Sequence, residues 1–335
     1  MDGAKTLADF GEFPLIQELF VPLQSASVSG VVLGIGDDAA VLSIPRTQQL
    51  LATTDSLVEG VHFNASVDPF LLGQKALLVN LSDIAAMGGK PCWYLLALSA
   101  PPETSLEWMR AFARGLQEAG SRFGITLVGG NTTGSKAGLT IGVTLFGLVS
   151  QARALTRVGS LPGDRILVTG TIGDAALALA VRKGMFVVKD AEDLAFLDHR
   201  LDLPEPRVDL GLAISDAAVA HAVIDVSDGV LADLGHLCVA SGVGARIDAE
   251  RVPFSQAARR QLELHPDLLS LLLTGGEDYE LLCTVPAGAL ELLDVLAKQA
   301  GVAFTEIGEI TESLGMVVTH EGQPFDVGRG GWTHF

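Results

Sequence analysis

Short apolar segments of this chain repeatedly lead into a glycine or another small residue that is followed by carboxylates. The clearest case is Val31-Val32-Leu33, which enters Gly34-Ile35-Gly36-Asp37-Asp38. Apolar runs of this length next to glycine are typical of short strands that end in a turn. By the same pattern we predict strands over 50–53, 125–128 and 271–273, and one that ends at Asp225. The polar residues at these predicted strand ends are Asp55, Asn131, Asp225 with Asp228, and Glu277 with Asp278.

Each of these acidic residues, taken alone, has an ordinary structural explanation. Asp and Asn after a strand commonly cap a helix or form an Asx turn. That explanation is weaker for the whole set. If these carboxylates converge in the fold, two of them about 4 Å apart repel by roughly 1 to 4 kcal/mol, and the fold needs something that compensates for this repulsion. Bound divalent cations remove this repulsion, and Mg²⁺ prefers carboxylate, hydroxyl and water oxygens. Further oxygen ligands are available from Asp83 on a predicted helix and from the nearby hydroxyls of Thr53, Thr54 and Ser227.

A cluster of metal-binding carboxylates most often serves phosphate chemistry. The chain contains neither a G-x-x-x-x-G-K-[ST] loop nor the protein-kinase motifs, so any phosphate chemistry would rely on metal and on backbone N–H groups. Arg157 is either a phosphate clamp or a surface arginine. His62 is either a ligand contact or a structural hydrogen-bonding residue. Trp332 is either a stacking surface or a packing residue.

The length of 335 residues favours two domains, and a loop-like composition near 150–163 places the boundary. We predict an N-terminal domain over 1–150 and a C-terminal domain over 151–335. Apolar segments of strand and helix length alternate in both, which indicates an α/β (α+β) fold.

The composition argues against several classes of protein. The net charge is −18 and the 22 Lys and Arg residues are dispersed, which excludes a basic nucleic-acid-binding stripe. No apolar run reaches about 18 residues, so we expect no membrane span. The N-terminus lacks a basic region, so we expect no secretory signal. Three scattered cysteines without a C-x-x-C pair fit buried thiols in the cytoplasm.

Six segments, in order along nearly the whole chain, resemble the thiamine-monophosphate kinase family, within the superfamily of aminoimidazole ribonucleotide synthetase. They are Gly34-Ile35-Gly36-Asp37-Asp38-Ala39, the run from Thr53-Thr54-Asp55 to Glu59-Gly60-Val61-His62-Phe63, the run from Lys75 to Gly88 containing Asn80-Leu81-Ser82-Asp83, Arg153-Ala154-Leu155-Thr156-Arg157, Ile224-Asp225-Val226-Ser227-Asp228-Gly229, and Gly275-Gly276-Glu277-Asp278-Tyr279-Glu280-Leu281.

This resemblance implies a fold and a reaction. The N-terminal α/β domain would have a mixed sheet that joins its twin in a homodimer to form a barrel. A C-terminal α/β domain would complete the cleft that holds ATP. The implied reaction is direct in-line transfer of the ATP γ-phosphoryl group to thiamine monophosphate, assisted by several Mg²⁺ ions.

The resemblance also implies roles for individual residues. No single catalytic base is expected; Arg157 and the metal-bound Asp55 and Asp83 would stabilise charge. The implied metal ligands are Asp38, Thr53, Thr54, Asp55, Asp83, Asn131, Asp225 and Asp228. The implied nucleotide contacts are Gly130, Asn131, Arg157 and Ser227, and the implied substrate contacts are His62, Glu277 and Trp332. Asn131 departs from the Gly-Gly-Asp common in the family; its amide oxygen can ligate Mg²⁺ but brings no charge.

Two alternatives remain at this stage. One is another ATP-using enzyme of the same superfamily, such as an aminoimidazole ribonucleotide synthetase, although the aspartate-rich segments match the thiamine enzymes better. The other is a non-enzymatic acidic metal-binding protein. The ligands are scattered over both halves of the chain rather than concentrated in one loop, which argues against a dedicated Ca²⁺ module.

Overall fold

The computed structural model describes residues 5–25 and 28–328, and within them the chain divides into two units. Residues up to Gln151, apart from Ala85–Gly89, form the first unit. Ala85–Gly89 and the residues from Ala152 onward form the second. Both units combine helices with mixed sheets, so the predicted α/β (α+β) class is confirmed.

The first unit is built on a four-stranded mixed sheet with the strand order β3-β6-β4-β5. β3 and β4 both pair antiparallel with β6, whereas β4 and β5 run parallel. A separate two-stranded ribbon, β1-β2, precedes this sheet in the chain. The strand bounds are β1 Val31–Leu33, β2 Val41–Leu42, β3 Gln48–Val58, β4 Lys90–Ala100, β5 Thr126–Gly134 and β6 Thr140–Ser150.

Two long helices accompany this sheet. Along β6, alternate residues from Ile141 to Val149 are buried and the residues between them are partly exposed, so the sheet has one covered and one more open face. The covered face lies under α3 (Pro69–Ala86), whose Ile84 side chain packs against β6 at Gly147. The helix bounds in this unit are α1 Leu7–Phe10, α2 Glu12–Leu15, α3 Pro69–Ala86 and α4 Leu106–Phe123, with a π-helical turn over Ile16–Phe20 and a 3₁₀ turn over Val21–Leu23.

The second unit contains a seven-stranded mixed sheet with the order β13-β12-β9-β11-β7-β10-β8. Its strands are β7 Arg165–Thr169, β8 Ala222–Asp225, β9 Gly244–Asp248, β10 Leu281–Val285, β11 Phe304–Thr311, β12 Gly315–His320 and β13 Gln323–Pro324. Its helices are α5 Asp174–Arg182, α6 Ala191–Asp202, α7 Val208–Ala217, α8 Val230–Ser241, α9 Gln256–Leu264, α10 Leu268–Thr274 and α11 Leu290–Gln299.

Two apolar cores hold this unit together. One packs α8 and α10 on the central strands, with Ile166, Ile224, Leu234 and Leu282 among its buried members. The other joins α5, α6, α9 and α10. The connection that follows β8 has Val226 in the core that packs α8 and α10 on the central strands, and the connection that precedes β10 begins after Leu273 in the same core. Buried neighbours therefore hold the backbone of both connections.

Three of the predicted strand ends are wrong. β3 continues past residue 53 to Val58, because all 11 of its residues pair in register with β6, so Asp55 lies inside a strand. β5 likewise continues to Gly134 through its parallel pairing with β4, which places Asn131 inside a strand. The segment 271–273 belongs to the helix α10; its leucines have a high helix propensity, and three apolar residues carry no periodicity that excludes a helix.

No helix of the described residues is both long enough and apolar enough to cross a membrane.

Candidate active site

The first unit brings three of the predicted metal ligands together between β3 and α3. Thr53 and Asp55 lie on the same side of β3, because side chains alternate along a strand. The Thr53 hydroxyl donates a hydrogen bond to Asp83 Oδ2. Burial, and then the charge of Asp83, raise the pKa of Asp55 to about 6. Asp83 therefore lies close enough to oppose the ionisation of Asp55, with a hydroxyl beside them.

Asn80 fixes this arrangement from the helix. It is 1% exposed, and its Oδ1 accepts a hydrogen bond of 3.1 Å from the Asp55 backbone N–H. Its Nδ2 donates at 3.0 Å to the carbonyl of Ala76, one turn earlier in α3. The Oδ1 end of the amide thus ties α3 to β3, while the Nδ2 end holds the side chain against its own helix. Sequence reasoning did not assign Asn80 a role; its position three residues before Asp83, on the same helix face, is the signal that could have suggested one.

The sheet register separates two other predicted ligands from this group. The Thr54 hydroxyl donates at 3.1 Å to the carbonyl of Val143 and lies 3.1 Å from the Thr144 hydroxyl, on the more open face. Asn131 pairs with Ala97 in β4 and is exposed on that same face. The side chains of Thr54 and Asn131 therefore do not join Asp55 and Asp83, which lie on the covered face.

Gly130 and Asp38 occupy exposed positions in the same unit. Gly130 runs so close to β4 that a Cβ would lie 2.0 Å from the Leu96 carbonyl oxygen, so this backbone position requires glycine. Asp38 lies in the connection between β1 and β2, where its backbone N–H donates at 2.8 Å to Asp37 Oδ1.

His62 closes the turn that follows β3. Its ring Nδ1 accepts a hydrogen bond of 3.0 Å from the backbone N–H of Val58. The backbone N–H of His62 donates at 2.9 Å to the Val58 carbonyl. Because Nδ1 is an acceptor here, the neutral imidazole carries its proton on Nε2. The structure therefore gives His62 a structural bond and fixes its tautomer at the same time.

In the second unit, the predicted residues of the 225–228 segment lie between β8 and α8. Asp225 is the buried last residue of β8, and Ser227 and Asp228 follow in the connection. The N–H groups of Asp228 and Gly229 donate at 3.0 and 3.1 Å to Asp233 Oδ2 on the first turn of α8. Asp233 therefore shapes the backbone that carries Ser227 and Asp228.

Sequence reasoning missed Asp233 and His236. Their ligand atoms and that of Asp228 lie within 4.8 Å of one another. Burial is the main cause that raises the pKa of Asp233 to about 7. The available signal was the spacing of Asp233 and His236, which at three residues apart share one helix face.

Glu277 follows α10 and lies against the same connection. Its backbone N–H donates at 2.8 Å to the Ser227 carbonyl, so a predicted substrate contact and a predicted nucleotide contact are neighbours. Arg157 lies exposed in the segment that runs along β8, where the Thr156 carbonyl accepts a hydrogen bond of 2.9 Å from the Val223 N–H. Trp332 lies outside the described residues.

Comparison with known proteins gives this geometry a context. The family model for the N-terminal domain of AIR synthase related proteins matches residues 36–149. The family model for the C-terminal domain of these proteins matches residues 162–321. The thiamine-monophosphate kinase of Escherichia coli (strain K12) is 44% identical over 326 residues, covering 97% of this chain and 98% of the relative. The chain belongs to the thiamine-monophosphate kinase family.

Solved structures of the thiamine-monophosphate kinase family share the fold. The crystal structure of the enzyme from Stenotrophomonas maltophilia K279a superimposes with a TM-score of 0.83 at 41% identity, covering 94% of this chain and 98% of that one. AaThiL, solved in complex with AMPPCP and TMP, gives a TM-score of 0.74 at 33% identity with both chains fully covered. These likenesses confirm the family resemblance and the two-domain α/β fold expected from the six motifs.

Proposed function

We propose that this chain is an ATP-dependent phosphotransferase that phosphorylates thiamine monophosphate to thiamine diphosphate. The observation that carries the proposal is the likeness, over 97% of the chain at 44% identity, to a thiamine-monophosphate kinase. The complex of a 33% identical homologue with AMPPCP and TMP supports the same pair of substrates.

The donor atoms in the first unit fit Mg²⁺. Asp55, Asp83 and Thr53 offer hard oxygen atoms, the type that this ion prefers. The pKa of Asp55 is raised by burial and by Asp83, and no cationic side chain is among the causes of that shift. A bound divalent cation would reduce the repulsion between the two carboxyls. We therefore propose Asp55, Asp83 and Thr53 as ligands in the first unit and Asp225 and Asp228 in the second.

When bound, Mg²⁺ would neutralise phosphate oxygens and stabilise the charge of phosphoryl transfer. The residues of the chain would do the positioning. The accepting group is a phosphate oxygen that is already ionised, so no side chain has to remove a proton from it. Asn80 holds Asp55, Asp233 holds the Ser227–Asp228 backbone, and the Nε2–H of His62 is a donor suited to an anionic substrate. Arg157 would supply positive charge for the phosphates.

We also propose that the chain forms a homodimer through the more open face of the first unit. Support comes from β3, an edge strand of 11 residues in the described sheet, and from exposed apolar side chains in the same unit. These exposed side chains include Val32, Leu33, Val41 and Leu50. Long edge strands and apolar faces of this kind are covered by partners in stable proteins. Three buried, unpaired thiols are compatible with a place in the cytoplasm.

Product analysis tests the proposed activity. The purified chain, incubated with ATP, Mg²⁺ and thiamine monophosphate, should yield thiamine diphosphate and ADP in equal amounts. Omission of Mg²⁺ should abolish both products. ADP formed without thiamine diphosphate would reject thiamine monophosphate as the acceptor, and no ADP under any condition would reject the kinase activity.

A further inference from the structure

Asp278 lies between two residues with unusual backbone conformations. The φ angles of Glu277 and Tyr279 are 71° and 52°, so both L-residues occupy the left-handed region. Side chains other than glycine rarely adopt this region, because Cβ approaches the carbonyl oxygen. Such conformations persist only where neighbouring contacts impose them, and they are frequent in ligand-binding segments.

Backbone hydrogen bonds impose part of this conformation from the 226–227 side. The Glu277 N–H donates to the Ser227 carbonyl and the Tyr279 N–H donates to the Val226 carbonyl, both at 2.8 Å. Gly276 permits this approach, since a Cβ there would lie 2.1 Å from the Ser227 carbonyl oxygen. Glu277 is therefore carried on the same backbone assembly as Ser227.

The side chain of Asp278 provides the remaining constraint from inside the second unit. It is 1% exposed, and its Oδ2 accepts a hydrogen bond of 2.8 Å from the Gly173 N–H at the start of α5. Its neighbours Glu277 and Tyr279 are only partly buried. The segment is thus anchored at its middle residue, and the residues on either side of it face outward.

The anchor is not a fully satisfied structural group. Asp278 Oδ1 makes no hydrogen bond within residues 5–25 and 28–328. Burial raises the pKa of Asp278 well above its usual range. A buried carboxyl with one unbonded oxygen costs folding stability, and native proteins retain few such groups. Capping of α5 through the Gly173 N–H does not by itself explain why a carboxyl that lowers the folding stability occupies position 278.

We propose that Asp278 is a positioning residue for the phosphate-accepting substrate. Its bond to the Gly173 N–H holds the strained turn in which the Glu277 side chain faces that substrate. The inference rests on the proposed function, because it takes Glu277 as a contact of thiamine monophosphate.

Steady-state kinetics of Asp278→Ala tests this role. A misplaced contact typically costs on the order of 10- to 100-fold, so we expect the KM for thiamine monophosphate to rise by that factor. The KM for ATP should stay within about twofold, because Ser227 keeps its own backbone support. Asp278→Asn retains an oxygen that accepts the Gly173 N–H, so we expect it to restore the KM to within about threefold of the wild type.

Asp193→Ala is the matched control. Asp193 is also a carboxylate of the second unit with 2% exposure, but its partner is Arg260. This variant should lose stability without a selective change in KM. A rise in the KM for thiamine monophosphate of the same size in Asp193→Ala would overturn the proposal, as would an unchanged KM in Asp278→Ala. If Asp278→Ala does not fold, Asp278→Ser, whose side chain is too short to reach the Gly173 N–H, replaces it.

A double variant separates positioning from general destabilisation. Because Asp278 would act through Glu277, the combined Glu277→Ala/Asp278→Ala variant should have the KM of Glu277→Ala alone. Multiplied effects of the two single changes would show independent roles and overturn the proposal.

Hydrogen–deuterium exchange provides a readout that does not depend on turnover. The amides of Glu277 and Tyr279 should exchange faster in Asp278→Ala than in the wild type or in Asp193→Ala. Unchanged exchange would overturn the proposal even if the enzyme is active. If Asp278→Ala shows the faster exchange but the wild type makes no thiamine diphosphate, the proposed function is rejected instead.

Discussion

Carboxylates are buried in the second unit and partly buried in the first, and different side chains surround them. In the second unit Glu280 accepts hydrogen bonds from Arg207 at 2.6 and 2.7 Å, from Arg200 at 2.9 Å and from Thr169 at 2.6 Å. In the first unit Asp55 faces Asp83, and its pKa is raised to about 6 rather than lowered. The surroundings of Glu280 supply its counter-charges, whereas the causes that shift the pKa of Asp55 are burial and a second carboxyl.

This difference indicates what each group is for. A carboxylate that is paired with two arginines contributes to a fixed structure, because removing the carboxylate leaves buried positive charge without its partner. Two carboxylates that lie close together repel each other, and a bound cation reduces that repulsion. The comparison therefore favours a role in folding for the Glu280 cluster, meaning Glu280 with Arg200 and Arg207. It supports the proposal that the pair of Asp55 and Asp83 binds a ligand.

The largest effect is expected when the Glu280 cluster is broken. Glu280→Ala leaves Arg200 and Arg207 without their shared partner, and we expect a loss of about 3–5 kcal/mol in the free energy of unfolding. Urea denaturation followed by circular dichroism measures it. A loss below about 1 kcal/mol would show that the cluster is not a structural anchor.

A change at Asp55 should affect activity rather than folding. We expect Asp55→Asn to lower turnover on the order of 100-fold or more, because it removes the charge of a proposed Mg²⁺ ligand. In metal-free buffer its unfolding free energy should equal or exceed that of the wild type, since repulsion from Asp83 is relieved. Turnover at limiting Mg²⁺ and metal-free urea denaturation test the two parts.

Ser56→Ala is a suitable control for this prediction, because Ser56 is the next residue of β3 and is exposed on the other face. Full activity in Asp55→Asn, or an equal loss in Ser56→Ala, would remove the distinction between the two carboxylate groups.

A smaller effect is expected at Asn80. Asn80→Ala removes the acceptor of the Asp55 N–H, and losses of this kind in the surroundings of a metal site typically weaken metal binding 10- to 100-fold. We expect the Mg²⁺ concentration for half-maximal activity to rise by about 10-fold, while saturating Mg²⁺ restores most of the turnover. Titration of the activity with Mg²⁺ tests this prediction. An unchanged Mg²⁺ concentration for half-maximal activity would mean that Asn80 does not support the proposed ligands.

The smallest effect is expected for an exposed ion pair in the second unit. Arg182 donates to Asp202 at 2.6 and 2.7 Å and to Asp198 at 2.8 Å, but all three side chains contact solvent. Arg182→Ala should cost less than about 1 kcal/mol in the same urea experiment. A loss equal to that of Glu280→Ala would mean that burial does not distinguish the two clusters.

Much of the site followed from the residues themselves. The order of the six motifs predicted the family, the fold class and the reaction. The residue types at Thr53, Asp55 and Asp83 predicted oxygen ligands, and the structure brings these three together. Asn80 was missed because it accepts a hydrogen bond from the Asp55 backbone N–H, which is distant in sequence. Asp233 was missed because its bonds to the Asp228 and Gly229 N–H groups form only when the turn before α8 closes.

The sequence by itself determined the chemistry of this protein: carboxylates and hydroxyls beside glycines, with no lysine-bearing phosphate loop. Only the tertiary structure decided which of those side chains meet. The length of β3 depends on its pairing with β6, so no local pattern could place Asp55 in the middle of a strand. A shift of one residue moves a side chain to the other face of a sheet, which is why register alone separates Thr54 and Asn131 from Asp55.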